Sequence, residues 1–150
     1  MKKKYNIGLT AGVYDLFHYG HLLFLKRAKQ HCHYLIVAVS ADDLVKSYKN
    51  QKPIINLRDR MAILKEIKYV DRVVVQHKLV DLEQFKTLNA DVFIFADDWR
   101  GRTDNEAYNF LLKNNKSILV PYTKRLSSTT IKNKIIKNAY QIIKSQTKRQ

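Results

Sequence analysis

The chain has 150 residues, a formal net charge of +15, 45% hydrophobic residues and one cysteine, Cys32. That length fits one domain, 1–150, with enough apolar material for a real core. An internal disulfide is excluded, and no apolar run approaches the roughly 20 residues that a membrane-spanning helix needs. The basic start, Met1 to Lys4, looks like the head of an export signal. Asp15 interrupts the apolar stretch behind it and no small-residue cleavage site follows, so a cytoplasmic protein is expected. The charge favours anionic partners such as phosphates, nucleic acid or an acidic membrane surface, without choosing among them. A bias towards Lys, Ile, Asn and Tyr would also account for many of the lysines.

The predicted elements follow in chain order. Ile7–Leu9 is a short apolar strand, with Thr10 and Ala11 at its end. Leu22, Leu23, Leu25 and Ala28 then recur at helical spacing, and Lys26, Arg27 and Lys29 mark the helix end. Tyr34–Ser40 is a nearly continuous apolar run, which reads as a strand buried on both faces. Lys46, Lys49, Lys52 and Pro53 mark a loop. A helix starts at Leu57, Arg72–Gln76 is a strand, Leu82–Leu88 a helix and Asp91–Ala96 a strand. Glu106–Lys113 reads as a helix and Ser117–Val120 as a last strand, stopped by Pro121. A final basic helix runs from about Ser128 to 145.

Strand and helix alternate about five times. This predicts an α/β, Rossmann-like fold with about five parallel strands and helices on both faces. Ligands in such sheets bind beyond the carboxyl ends of the strands. The loops at those ends carry Gly12–His21, Asp42–Lys52, Asp97–Arg102 and Tyr122–Ser128, so the unusual polar clusters share one edge.

The first cluster is the most distinctive. Three of the four glycines, Gly8, Gly12 and Gly20, lie in the first twenty residues. Gly12 ends a strand where backbone can approach a ligand closely. Gly20 opens a helix whose N-terminal N–H groups and dipole suit a phosphate. His18 precedes that helix and His21 lies in its first turn, so both imidazoles can face one small volume. Neither a Walker A loop nor G-x-G-x-x-G is present. On spacing alone three readings stay open: phosphate chemistry, a capped helix with satisfied histidines, or a metal site that lacks a third ligand. His31 and His33, beside Cys32, read as a solvated helix end. The last helix gathers Ile131, Ile135, Ile136, Ile142 and Ile143 on one side. That face predicts docking on the sheet, or weak association with a membrane surface without stable insertion.

The stretch GVYDLFHYGH, Gly12–His21, resembles the H-x-G-H signature of the nucleotidyltransferase superfamily. More narrowly it resembles the cytidylyltransferases that make CDP-glycerol, CDP-choline and CDP-ethanolamine. The similarity runs in order from about Asn6 to Lys132. Tyr69–Val74 resembles another family segment. Ala96–Trp99, ADDW, is similar to the G-D-D-W of glycerol-3-phosphate cytidylyltransferases, with Ala96 for the glycine. Ser127–Lys132 resembles the end of the family's R-T-E-G-I-S-T-T motif.

The resemblance implies a condensation of CTP with an alcohol phosphate, glycerol 3-phosphate first, giving CDP-glycerol and pyrophosphate for a surface polymer such as teichoic acid or capsule. Phosphocholine, phosphoethanolamine or another polyol phosphate is the alternative acceptor. It implies direct in-line attack on the α-phosphate, Mg²⁺ carried by CTP with no dedicated metal site, a homodimer, and no nucleic-acid partner. Positioning and neutralisation of negative charge dominate such chemistry. His18 and His21 then stabilise charge at the α-phosphate and leaving group. Lys49, with Lys46 as its neighbour, bridges the phosphates, or is one solvated lysine among several. Gly12, Val13 and Tyr14 meet the nucleotide. Asp97 and Asp98 accept hydroxyls of glycerol or ribose, Asp98 on the nucleotide side, or else cap a turn. Trp99 closes over substrate or packs, and Asp42 faces the bound molecules. Asp15 orients the histidine loop or caps backbone donors. Ser127, Ser128 and Thr129 cap the last helix and bind phosphate. The motif arginine is missing: its place is Tyr122, and Arg125 is the candidate replacement. A catalytically idle basic module that binds RNA or membrane is the reading from another class.

Overall fold

A computed structural model describes residues 3–102, 104–123 and 127–147. The chain builds β1 (Tyr5–Gly12), α1 (Tyr19–Lys29), β2 (Cys32–Ser40), α2 (Asp42–Lys49) and α3 (Leu57–Lys65). There follow β3 (Arg72–Gln76), α4 (Leu82–Thr87), β4 (Val92–Ala96), a 3₁₀ turn (Asp97–Trp99), α5 (Glu106–Lys113), β5 (Ser117–Val120) and α6 (Ser128–Thr147). The five strands form one parallel sheet in the order β3-β2-β1-β4-β5. Winding therefore runs outward one way from β1 to β3, then restarts on the other side of β1 with β4. The crevice at this reversal, between the carboxyl ends of β1 and β4, is where such sheets hold ligands.

Alternation along β2 explains why the sheet is covered on both faces. Leu35, Val37 and Val39 pack with Phe24, Leu25 and Ala28 of α1 and Leu64 of α3. Ile36 and Ala38 pack on the opposite face with Phe85 of α4 and Tyr108 and Leu111 of α5. Every residue of Leu35–Val39 is almost wholly buried, so the unbroken apolar run is the signature of a central strand. β1 is longer than its apolar triplet suggests. Its register with β2 runs from Tyr5 opposite Cys32 to Gly12 opposite Val39, so pairing with β2 extends it into polar residues, while β4 pairs at Gly8 and Leu9.

Two expectations are corrected. Residues 42–49, read as loop, form α2, with Asp42 and Asp43 in its first turn and Asn50 closing it in the left-handed region at φ 59°. The helix is short, only its Val45 is buried, and its cap residue Ala41 makes no side-chain cap bond, so the sequence carries no capping signal at its start. The last helix does not dock on the sheet along its length. Ile135, Ile136, Ile142 and Ile143 are each more than half exposed, and the contact with the body lies near the helix start. No helix among the described residues is long and apolar enough to cross a membrane.

One buried charge organises the carboxyl edge. Arg60 of α3 is 1% exposed. Its guanidinium donates to the carbonyls of Ile55 (2.9 Å), Val13 (2.5 Å) and Ser40 (2.9 Å) and pairs with the Asp42 carboxylate (2.5 Å). Asp42 also receives the Leu57 N–H at 3.4 Å. The acidic residue expected to face substrate is thus consumed in a structural ion pair. Replacing Arg60 by Met leaves three carbonyls and a carboxylate without their partner. Arg60→Met should cost about 3 kcal/mol in urea denaturation, and Arg60→Lys, with a point charge instead of a fork, should recover only part of it.

Candidate active site

His18 caps α1 with its own ring. Nδ1 accepts the Gly20 N–H at 3.1 Å, so in the neutral ring the proton sits on Nε2. That Nε2 is buried without a partner. The His21 ring stacks on His18 at 3.9 Å between centroids and 21° between planes, and its Nδ1 is also buried and unpaired. Two orphaned imidazole nitrogens side by side are costly in a finished fold and are expected where a ligand supplies the partner. Burial lowers the pKa of His18. Burial, then the neighbouring His18 and also Lys49, lowers that of His21 to about 3, against a weaker upward pull from Asp15. Both rings are therefore neutral donors at pH 7.

A cleft of about 710 Å³ opens beside them at the β1/β4 reversal. Its walls include Gly12, Val13, Tyr14, Asp15 and His21 from the first loop, Lys49 from α2, Asp98 and Trp99 after β4, Tyr122 after β5, and Ser127, Ser128 and Thr129 at the start of α6. His21 faces the cleft directly and His18 lies one ring behind it. The segment around Gly12 is shaped by its own tyrosine: a Cβ on Gly12 would sit 3.0 Å from the Tyr14 ring. Tyr14 adopts φ 55°, and burial raises its hydroxyl pKa, eased slightly by Thr10. Gly12 thus makes room for this buried ring as well as for close approach from the cleft.

The other candidates divide. Lys49 reaches the cleft, and desolvation there, then the Lys132 ammonium, hold its pKa below the usual lysine value, against a pull from Asp15. Lys46 is exposed and not part of the wall. Asp97 turns away: its Oδ1 accepts the Tyr122 N–H at 2.9 Å and fixes the loop after β5. Asp98 faces the cleft, and burial, then the Asp98 charge, raise the Tyr122 hydroxyl. Ser127 Oγ caps α6 through the Thr130 N–H at 3.1 Å, and Ser128 Oγ donates to the Asp15 carbonyl at 2.5 Å. Arg125 lies outside the described residues.

The sequence reading missed Lys132. Its Nζ pairs with Asp15 Oδ2 at 2.9 Å on the cleft wall. The available signal was its spacing, one helical turn after Ser128 and so on the same face. Asp15 also accepts the N–H groups of Ile54 (3.1 Å) and Ile55 (3.0 Å). It therefore joins the histidine loop, the segment after α2 and α6. Burial works against its charge, but the Ile55 N–H, Lys132 and the Ile54 N–H outweigh it and lower its pKa. Among the described residues no three His, Cys, Asp or Glu side chains converge on a point that could hold a metal ion.

A parallel sheet with a stacked histidine pair at the first helix and lysines around a cleft at the strand reversal suits a phosphate-bearing ligand, and comparison with known proteins gives the class, a nucleotidyltransferase. Residues 9–144 match the family described as Cytidylyltransferase-like, and the chain belongs to that family. It is 37% identical over 128 residues to the glycerol-3-phosphate cytidylyltransferase of Bacillus subtilis strain 168, covering 85% of this chain and 95% of that one. Identity to the Staphylococcus aureus protein of the same name is 36% over 131 residues, 85% and 92% of the two chains. An FAD synthase of Thermococcus sibiricus is 38% identical over 98 residues, 65% of this chain and 66% of that protein. The fold also matches a lipopolysaccharide core biosynthesis protein of Thermoplasma volcanium, with a TM-score of 0.65, 24% identity, and coverage of 82% of this chain and all of that one.

The neutral histidines give stability a pH dependence. His21 binds a proton near pH 6.5 when unfolded and only near pH 3 when folded, so between those values the unfolded chain holds the extra proton. Stability should therefore fall on acidification from pH 7 to 4.5, by up to about 1.4 kcal/mol per pH unit for each such histidine. In denaturation series across that range, His21→Gln should flatten the slope. An unchanged slope would mean that His21 is not held neutral by the fold.

Proposed function

We propose that the chain condenses CTP with sn-glycerol 3-phosphate to form CDP-glycerol and pyrophosphate. The observation that carries this reading is the pair of unsatisfied imidazole nitrogens at the start of α1, next to a cleft lined by Lys49 and Lys132. Such a cleft suits a polyphosphate, and the relatives named for this reaction align over nearly their whole length. A phosphate oxygen of glycerol 3-phosphate attacks the α-phosphorus of CTP. The bond from that phosphorus to the bridging oxygen breaks, and its electron pair leaves with pyrophosphate. His21, backed by His18, donates to the phosphoryl oxygens where charge builds, and the lysines neutralise the rest. Mg²⁺ enters as part of the nucleotide substrate. Asp98 and the Tyr122 hydroxyl accept and donate hydrogen bonds to substrate hydroxyls, and Arg125 stays the candidate for the missing motif arginine. The product would serve surface-polymer synthesis in the cytoplasm, and the working form would be a homodimer.

A pyrophosphate-release assay that pairs CTP, ATP, GTP and UTP with glycerol 3-phosphate, phosphocholine, phosphoethanolamine and polyol phosphates tests the reading. Release should be fastest with CTP and glycerol 3-phosphate. Release with phosphocholine alone would move the assignment to that acceptor, and none from any pair would leave the idle basic module. His18→Ala and His21→Ala should each lower kcat about 100-fold or more with an unchanged circular-dichroism spectrum. Turnover like that of the unmodified protein in either would remove that histidine from the chemistry.

A further inference from the structure

A buried carboxylate on the wall of a cleft for anions opposes the ligand, and Asp15 is such a group, only 4% exposed. The fold goes to some length to keep it there. Tyr14 and Leu16, on either side, both adopt left-handed backbone (φ 55° and 48°) without being glycine, a local strain. Lys132 Nζ is 2.9 Å from Asp15 Oδ2, on the wall and at the end of a flexible stem. An ammonium has three protons, so Lys132 can turn from the carboxylate to a phosphate oxygen. Asp15 would not then be stranded, because the Ile54 and Ile55 N–H groups still hold its two oxygens. The Ser128 hydroxyl on its carbonyl keeps the first turn of α6 in place while the lysine moves.

We propose that Asp15 is a counter-ion latch for Lys132: it holds the ammonium in the empty cleft, yields it to an incoming polyphosphate, and takes it back to help discharge pyrophosphate. The inference rests on the reading that a polyphosphate occupies this cleft. A permanent ion pair that merely anchors α6 makes the opposite prediction. Removing the anchor would weaken anion binding, whereas removing the latch strengthens it, because Lys132 no longer has a competing partner.

Calorimetric titration with inorganic pyrophosphate separates the two, using the unmodified chain, Asp15→Asn, Lys132→Gln and the double variant. Asp15→Asn should bind pyrophosphate about fivefold to tenfold more tightly, the size expected when one partly screened charge beside an anion is removed. Lys132→Gln should bind it more weakly, and in the Lys132→Gln background most of the gain from Asp15→Asn should vanish. In turnover, Asp15→Asn should make pyrophosphate a stronger product inhibitor by a similar factor. Pyrophosphate affinity no higher than that of the unmodified chain, in a folded Asp15→Asn protein, would overturn the latch. If Asp15→Asn does not fold, Asp15→Ser takes its place in the same titration with the same two outcomes, and unchanged pyrophosphate affinity in Lys132→Gln also overturns the proposal. Pyrophosphate binding needs no nucleotide or acceptor, so an error in the assigned substrates would leave this result readable.

Discussion

The carboxyl edge of this sheet depends on the buried guanidinium of Arg60. Strands that end in a ligand cleft leave carbonyls pointing into the interior, where each must find a donor. Arg60 supplies donors to Val13 after β1, Ser40 at the end of β2 and Ile55 before its own helix, with Asp42 balancing the charge. Asp15 does the converse on the neighbouring segment. It gathers orphan donors, the N–H groups of Ile54 and Ile55 and the Lys132 ammonium. One buried cation collects acceptors and one buried anion collects donors, and between them the histidine loop, α2, the segment after it and α6 share one frame.

The sheet was legible in the sequence and the frame was not. The bounds of β3, α5 and β5 match the sequence reading: β3 and β5 are short unbroken apolar runs, and α5 spaces the buried Tyr108 and Leu111 on one face. α2 escaped because it is short, rich in lysine and begins after Ala41, which gives no capping signal. His18 and His21 stood out by type and spacing, Lys49 and Asp98 through the resemblance to family motifs. Asp42 carried an equally suggestive position, but its true partner, Arg60, lies 18 residues on and looks from the sequence like one more surface arginine in a helix. Lys132 was hidden for the same reason: among so many lysines, the one that matters is distinguished only by its tertiary neighbour.

The charge of the whole molecule and the charge of the cleft are separate matters. A net charge of +15 draws any anion towards the protein but carries no geometry. Around the cleft, by contrast, the histidines are neutral, Lys49 is held below its usual pKa and Asp15 is ionised. One of its lysines, Lys132, is offset by Asp15, so the local charge of the cleft is set by neighbours and not by the net charge of the chain. The exposed isoleucines of α6 add a second contrast, because this helix builds the wall with its first turns and presents apolar surface with the rest.

Gly8 has a consequence well away from the cleft. A Cβ there would fall 2.8 Å from the Cys32 sulfur and 3.0 Å from Ile94, so β1 and β2 close directly over the thiol. Burial raises the Cys32 pKa, and the side chain is fully enclosed. Both conditions for thiolate attack, ionisation and access, are withheld while the central strands stay paired. Because this is the chain's one cysteine, the protein carries a built-in reporter: the rate at which an alkylating reagent modifies it measures how often the centre of the sheet opens.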